Sequence, residues 1–233
     1  MKTSIILFFL SSLAMNSFSQ NCDTQFYPMS TGNEFELSSY DAKEKLSSKT
    51  HYTVTNGHST ANGFEAHIKV DNYDDKDKLT GTNEMNISCT DNTYYVDMVM
   101  YLSPETMEGY EGMDVTISGD DLQYPSTLSV DQTLPDATMV VTVTNESMPI
   151  MTITMNITNR KVEAAENVIV PAGSFECIKM SYDAKVTIGN IFPIVTNMHA
   201  IEWIHFGSGM IRSESYKENG KLMGYTVLSM IKK

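Results

Sequence analysis

Positive charge is scarce in this chain: 16 Lys and Arg stand against 29 Asp and Glu, a formal net charge of −13. A surface that acidic repels phosphate backbones and anionic headgroups, which excludes nucleic acid and simple electrostatic docking on membranes. Long apolar runs are also missing after the first residues, so no segment of the exported chain has the about 20 apolar residues that a spanning helix needs. Amphipathic helical periodicity is nearly absent. The nearest candidate is residues 104–110, where Ser103 caps a single turn. Cysteine is limited to Cys22, Cys89 and Cys177, far apart and without a CxxC pair. Three cysteines allow at most one bridge with one thiol left over, and the pairing is open.

What the chain does have begins at its N-terminus. Lys2, the apolar run at residues 5–10 and small residues at Ser17 and Ser19 read as a secretory signal over residues 1–19, with the mature start at Gln20 or Asn21. The protein is therefore expected in the periplasm or outside the cell. A lipid anchor on Cys22 is disfavoured, because Asn21 rather than a small residue precedes it.

Hydrophobic periodicity after the signal is two. Phe64, Ala66, Ile68 and Val70 alternate with Glu65, His67, Lys69 and Asp71, which separates an apolar from a polar strand face. Met151, Ile153, Met155 and Ile157 form a second apolar face, and Val96, Met98, Met100 and Leu102 a third. Further strands are expected near residues 50–55, 84–89, 115–118, 139–144, 162–170, 175–188, 199–206, 210–216 and 222–231. Strands with one polar face belong to antiparallel sheets, so the chain is all-β with little helix. Residues 20–233 are expected to form a single β domain. Within it residues 103–138, rich in Gly, Pro and Asp, make a long connection that holds the short strand-like fragments DVTIS and LSV.

Three stretches repeat one another: SYDAKEKL at 39–46, NYDDKDKL at 72–79 and SYKENGKL at 215–222. Asn219-Gly220 tolerates positive φ, so each stretch is expected to be a hairpin with a charged tip in water rather than a repeated active site.

Sites of known chemistry are mostly unsupported. Ser208 in FGSGM lacks the GxSxG spacing and the helix of a nucleophile elbow. Asp71, Asp74, Asp75 and Asp77 fail the EF-hand pattern. His51, His58, His67, His199 and His205 neither pair at zinc-ligand spacing nor flank the cysteines. Asp120-Asp121 point to opposite sides of an extended chain, which gives no glycosidase pair. No cofactor is implied. The 17 methionines cluster in DMVMYL and MPIMTITM, where core packing is the default and an adaptable apolar binding face is the alternative.

The segments YPMSTGNEFELSSYDAKEKL, GDDLQYPSTLSVDQTLPDATM, NRKVEAAENVIVPAGSFECIKMSY and IEWIHFGSGMIRSESYKENGKLMGYTVL together resemble the TapB-like family of exported bacterial proteins, related to the DUF 3108 domain. That resemblance implies a single curled antiparallel sheet or half-barrel, like periplasmic lipoprotein carriers, and supplies no catalytic residues. The resulting expectation is a non-enzymatic binding module that holds a lipid-like or other apolar ligand, or a protein segment, on a concave face. Met98, Met100, Met151, Ile153, Met155 and Trp203 are its expected lining. An envelope structural or interaction protein without a small ligand is the alternative, and a hydrolase with a site built from distant segments is the third.

Overall fold

The computed structural model describes residue 22 and residues 28–101, 113–146, 148–189 and 192–233. The expected signal peptide, the single helical turn at residues 104–110 and the first part of the 103–138 connection lie outside the described residues.

In chain order the strands are β1 (Glu34–Asp41), β2 (Leu46–Thr60), β3 (Gly63–Asp74), β4 (Leu79–Thr90), β5 (Thr93–Val96), β6 (Asp114–Gly119), β7 (Leu122–Pro125), β8 (Ala137–Asn145), β9 (Met148–Val170), β10 (Gly173–Ile188), β11 (Ile194–His205), β12 (Gly209–Lys217) and β13 (Leu222–Lys232). All thirteen join one sheet in the order β6-β8-β9-β10-β11-β12-β13-β1-β2-β3-β4-β5-β7. The sheet is antiparallel and is not closed into a barrel. Two meanders, β1 to β5 and β8 to β13, meet where β13 pairs with β1, Phe35 opposite Ile231 and Tyr40 opposite Tyr225.

The expected strand over residues 96–102 is corrected. Pairing of β5 with β4 ends at Val96 opposite Ile87, and Met98–Tyr101 is a 3₁₀ turn closed by Met100 N–H on the Asp97 carbonyl. After Asp97, whose N–H still reaches the Asn86 carbonyl, the chain turns away from β4 and the alternating pattern enters no ladder. Residues 151–157 and 162–170 form one strand, β9, rather than two; Asn159 keeps a positive φ of 56° inside it. Fragment DVTIS becomes β6, whereas LSV lies outside any strand. Strands β1 and β7 were not read from periodicity at all. β1 carries Ser38 and Ser39 where alternation should continue, and β7 has four residues.

The repeated Tyr-containing stretches fold alike. Asp41, Asp74 and Lys217 each donate N–H to the carbonyl four residues on, at Lys45, Lys78 and Lys221. The fourth residue of each turn, Glu44, Asp77 or Gly220, takes φ of 63°, 60° or 77°. A register shift sits beside Tyr40, Tyr73 and Tyr216 in each case. This is the three-residue hairpin with a bulge, which needs one left-handed residue. Asp41 and Asp74 fasten their own turns: Asp41 Oδ1 accepts the N–H of Lys45 and Lys43, and these bonds hold its carboxyl below its ordinary pKa.

The first and last strands of the order, β6 and β7, are consecutive in the chain. Gly119 bends into the connection with φ 140°, and a Cβ there would stand 2.1 Å from the Thr138 carbonyl oxygen. Residues after β7 then run back along β9, with Leu134 N–H on Arg160 O and Val162 N–H on Gln132 O. Arg160, 3% exposed, clasps this seam. Its Nη1 donates to the carbonyls of Gln123 and Pro135, and its guanidinium lies 4.7 Å from the Tyr124 ring centroid.

A disulfide joins Cys22 to Cys89, and Cys177 remains a buried thiol. Cys22 and buried Met29 lie against β2 and β3, the Cys22 sulfur 3.3 Å from a Cβ built on Gly63 and the Met29 carbonyl against Gly57. The loop the disulfide closes spans a sequence separation of 67, so reduction, or Cys22→Ser, should lower unfolding free energy by about 4 kcal/mol in urea titrations. At the seam, burial first and then the charges of Asp97 and Asp120 push the Asp121 carboxyl above its ordinary pKa. A carboxyl raised in this way opposes folding while ionised and ceases to do so once protonated. Asp121→Asn should therefore raise Tm by about 1–2 °C at neutral pH, and the gain should fade as pH falls through the carboxylate range.

Candidate functional site

Charge disappears from one arm of the sheet. Over residues 137–159 Glu146 alone is charged, and over residues 186–198 no Asp, Glu, Lys or Arg occurs. These residues build the adjoining ends of β8, β9, β10 and β11. Directly paired residues of antiparallel strands share a face, so the register traces apolar rows across the arm. One row runs Ile117, Val141, Ile153, Ile188, Ile194. A neighbouring row holds Met139, Met155 and Val186, and a third holds Val115, Val143 and Met151. The opposite face carries Thr142 with Thr152, and Thr154 with Thr187.

Burial along these rows is graded. Val141, Val143, Met139 and Ile153 are buried; Met151, Met155, Val186 and Ile188 are half-buried; Ile117 and Ile194 are exposed. The inner face is sealed at β8 and opens toward β11 and the edge at β6. An apolar surface that leaves its core in this way can take up greasy matter without rearranging charge.

All six expected lining residues belong to one contiguous apolar cluster or pack against it, Met98, Ile153 and Trp203 as buried members and Met100, Met151 and Met155 as half-buried neighbours. They do not share one face. Met151, Ile153 and Met155 stand together on β9. Met98 and Met100 sit on the 3₁₀ turn. Trp203 pairs with Lys179, while its neighbour Glu202 pairs with Met180 on the face of Val186 and Ile188. Trp203 is thus on the other side of β11. There its indole N–H donates to Glu166, and Lys179 Nζ and the Arg212 guanidinium lie 5.3 and 6.0 Å from its ring.

Val186, Ile188 and Ile194 were not singled out from sequence, although IFPIV and KVTIG show the alternation. Only the pairing of β10 with β9 and β11 reveals that they continue the methionine face.

Several polar groups that the sequence offers as candidates are committed to local partners. Asp183 accepts from Asn159 and pairs with His199 at 3.0 Å; these contacts, His199 first, hold its carboxyl below its ordinary pKa. Beside this pair lies a shallow cleft of about 340 Å³ lined by His199, Ile201, Tyr216, Lys217, Glu218 and Gly220. Ser208 is buried in the β11/β12 turn with its N–H on the His205 carbonyl. The acidic cluster of β3 and its turn is divided among lysines: Asp71 with Lys69, Asp75 with Lys45, and Asp77 with Lys49.

A family model described as DUF3108-like matches residues 30–228. Among solved structures, a candidate exported protein with a YmcC-like fold from Bacteroides fragilis superposes with a TM-score of 0.76 at 24% identity, covering 90% of this chain and 100% of that one. A candidate lipoprotein from Parabacteroides distasonis gives 0.78 at 22% identity, covering 90% and 99%. At these identities the likeness shows the fold alone. No curated protein matches.

The graded face predicts graded tolerance to charge. Met139→Lys should destabilise by about 3 kcal/mol or more, because an ammonium at a sealed position has no partner. Met155→Lys should cost about 1 kcal/mol, since its stem can stay on the face while the head reaches water. Urea unfolding midpoints of the two variants check the difference.

Proposed function

The chain belongs to the DUF3108-like family, and we propose that it acts as an exported, non-enzymatic binding module whose concave β8 to β11 face holds an apolar molecule or apolar protein segment. The observation that carries this reading is the charge-free row from buried Val141 through half-buried Ile188 to exposed Ile194. Burial of such surface contributes about 25 cal/mol per Å². The half-buried methionines Met151 and Met155 adapt to irregular shapes through their three soft torsions. Export is supported by the apolar N-terminal run and by the exported and lipoprotein descriptions of the structural neighbours.

An envelope interaction protein is the second reading, favoured by a free sheet edge. Strand β5 covers β4 only over Ile87 to Thr90. Among the described residues, 79–85 of β4 have no strand on that side, which is the arrangement that strand addition uses.

Native mass spectrometry of the mature protein from an exporting host, followed by organic extraction, separates the two. The binding-module reading expects a stoichiometric apolar adduct, and the double variant Met151→Lys, Met155→Lys should bind it at least about tenfold more weakly. Clean apo mass in repeated preparations, with one specific protein retained after mild cross-linking, would replace the first reading by the second.

A further inference from the structure

We propose that the projecting ends of hairpins β8/β9 and β10/β11 form a membrane-docking element that inserts its apolar tips into an electrically neutral lipid surface. Among the described residues, five of the eleven exposed large apolar side chains stand at these two ends, while Ile169, 82% exposed, stands at the far end of β9. Phe192 is 91% exposed, Met148 70%, Ile194 68%, Val195 47% and Ile150 44%. The tips stand at the same end of neighbouring strands: Ile153 pairs with Ile188, and Ile188 with Ile194.

Their place on the rim favours contact with a surface. Strand β12 ends at Lys217 opposite Met198 and the Glu218 carboxylate of its turn accepts from Asn197, so residues 194–196 of β11, about 10 Å at the rise of a strand, run past that contact. The charged turns after Asp41, Asp74 and Lys217 occupy this same rim, because β1, β3 and β12 run in the direction of β10. The uncharged arm therefore leads and the charged turns are set back. Interfacial elements bury their apolar side about 5–10 Å deep, a depth this length can supply.

Charge selects the lipid. The arm has no basic residue over 186–198, Asp114 and Glu146 stand at its β6 and β8 corner, and the chain carries −13 overall. Anionic headgroups repel such an element, so attraction must come from apolar burial. A protein partner fits less well: a stable interface uses about 20–30 residues a side, and these are two narrow tips. Two copies would also bring like net charges together. The docking is independent of whether the concave face holds a ligand.

Vesicle flotation of the mature protein tests it. Phosphatidylcholine vesicles should carry the protein upward, with no loss on adding salt, and admixed phosphatidylglycerol should reduce the bound fraction. The double variant Phe192→Asp, Ile194→Asp should lower vesicle affinity at least about tenfold, consistent with the penalty for acidic groups in apolar lipid. Both positions face solvent, so circular dichroism and thermal unfolding should match wild type. Absence of flotation with every vesicle, flotation unaffected by the double variant, or binding that needs phosphatidylglycerol and vanishes in salt would each overturn the proposal. A wild-type dimer that the variant converts to monomer, without vesicle binding, would assign the tips to a second copy instead.

Discussion

Two residues, Asp120 and Asp121, are all that separates β6 from β7, yet these strands are the two edges of a thirteen-strand order. Laid flat, strands spaced about 4.8 Å apart would put the edges about 57 Å from one another. Three Cα steps, from Gly119 to Leu122, reach at most about 11 Å. The sheet has to curl until its edges meet, and everything concave about the molecule follows from that tether. The left-handed Gly119, the Arg160 clasp onto Gln123 and Pro135, and the return of residues 126–136 along β9 all serve the same junction.

Curling creates an inner face that the two halves treat differently. Over β2 to β5 Cys22, bridged to Cys89, and Met29 pack into the core. Over β8 to β11 burial fades along each row toward the rim. The rim itself is divided: bulged turns rich in Lys, Asp and Glu on one side, uncharged hairpin ends on the other. Apolar and charged positions are thereby kept apart on the rim. The fold shared with the structural neighbours does not by itself assign a function, because chemistry resides in the site and not in the architecture.

Much of the fold was legible because its causes are local. Alternation with period two identifies a strand whatever its neighbour, and the triple Tyr-to-Lys-Leu pattern encodes one turn with one left-handed residue. The misreadings share a cause as well. Residues 96–102 alternate as well as any strand, but a strand exists only while it is paired, and past Asp97 the chain coils into a 3₁₀ turn instead of following the open edge of β4. β9 reads as two pieces because its bulges shift the alternation partway, while pairing with β10 holds it together as one. Trp203 could not be assigned to a face, since Ile201-Glu202-Trp203-Ile204-His205-Phe206 has bulky residues at both parities.

By itself the sequence determined period, turns and net charge, which depend on residues within a few positions of one another or on composition. Tertiary structure decided which apolar positions meet. Met155 and Val186 are neighbours through register, Cys22 and Cys89 are joined across a sequence separation of 67, and β6 and β7 stand at opposite edges although two residues apart in the chain. Strand pairing is a relation between distant segments, fixed by the curvature and backbone hydrogen bonding of the whole sheet, and no local pattern contains it.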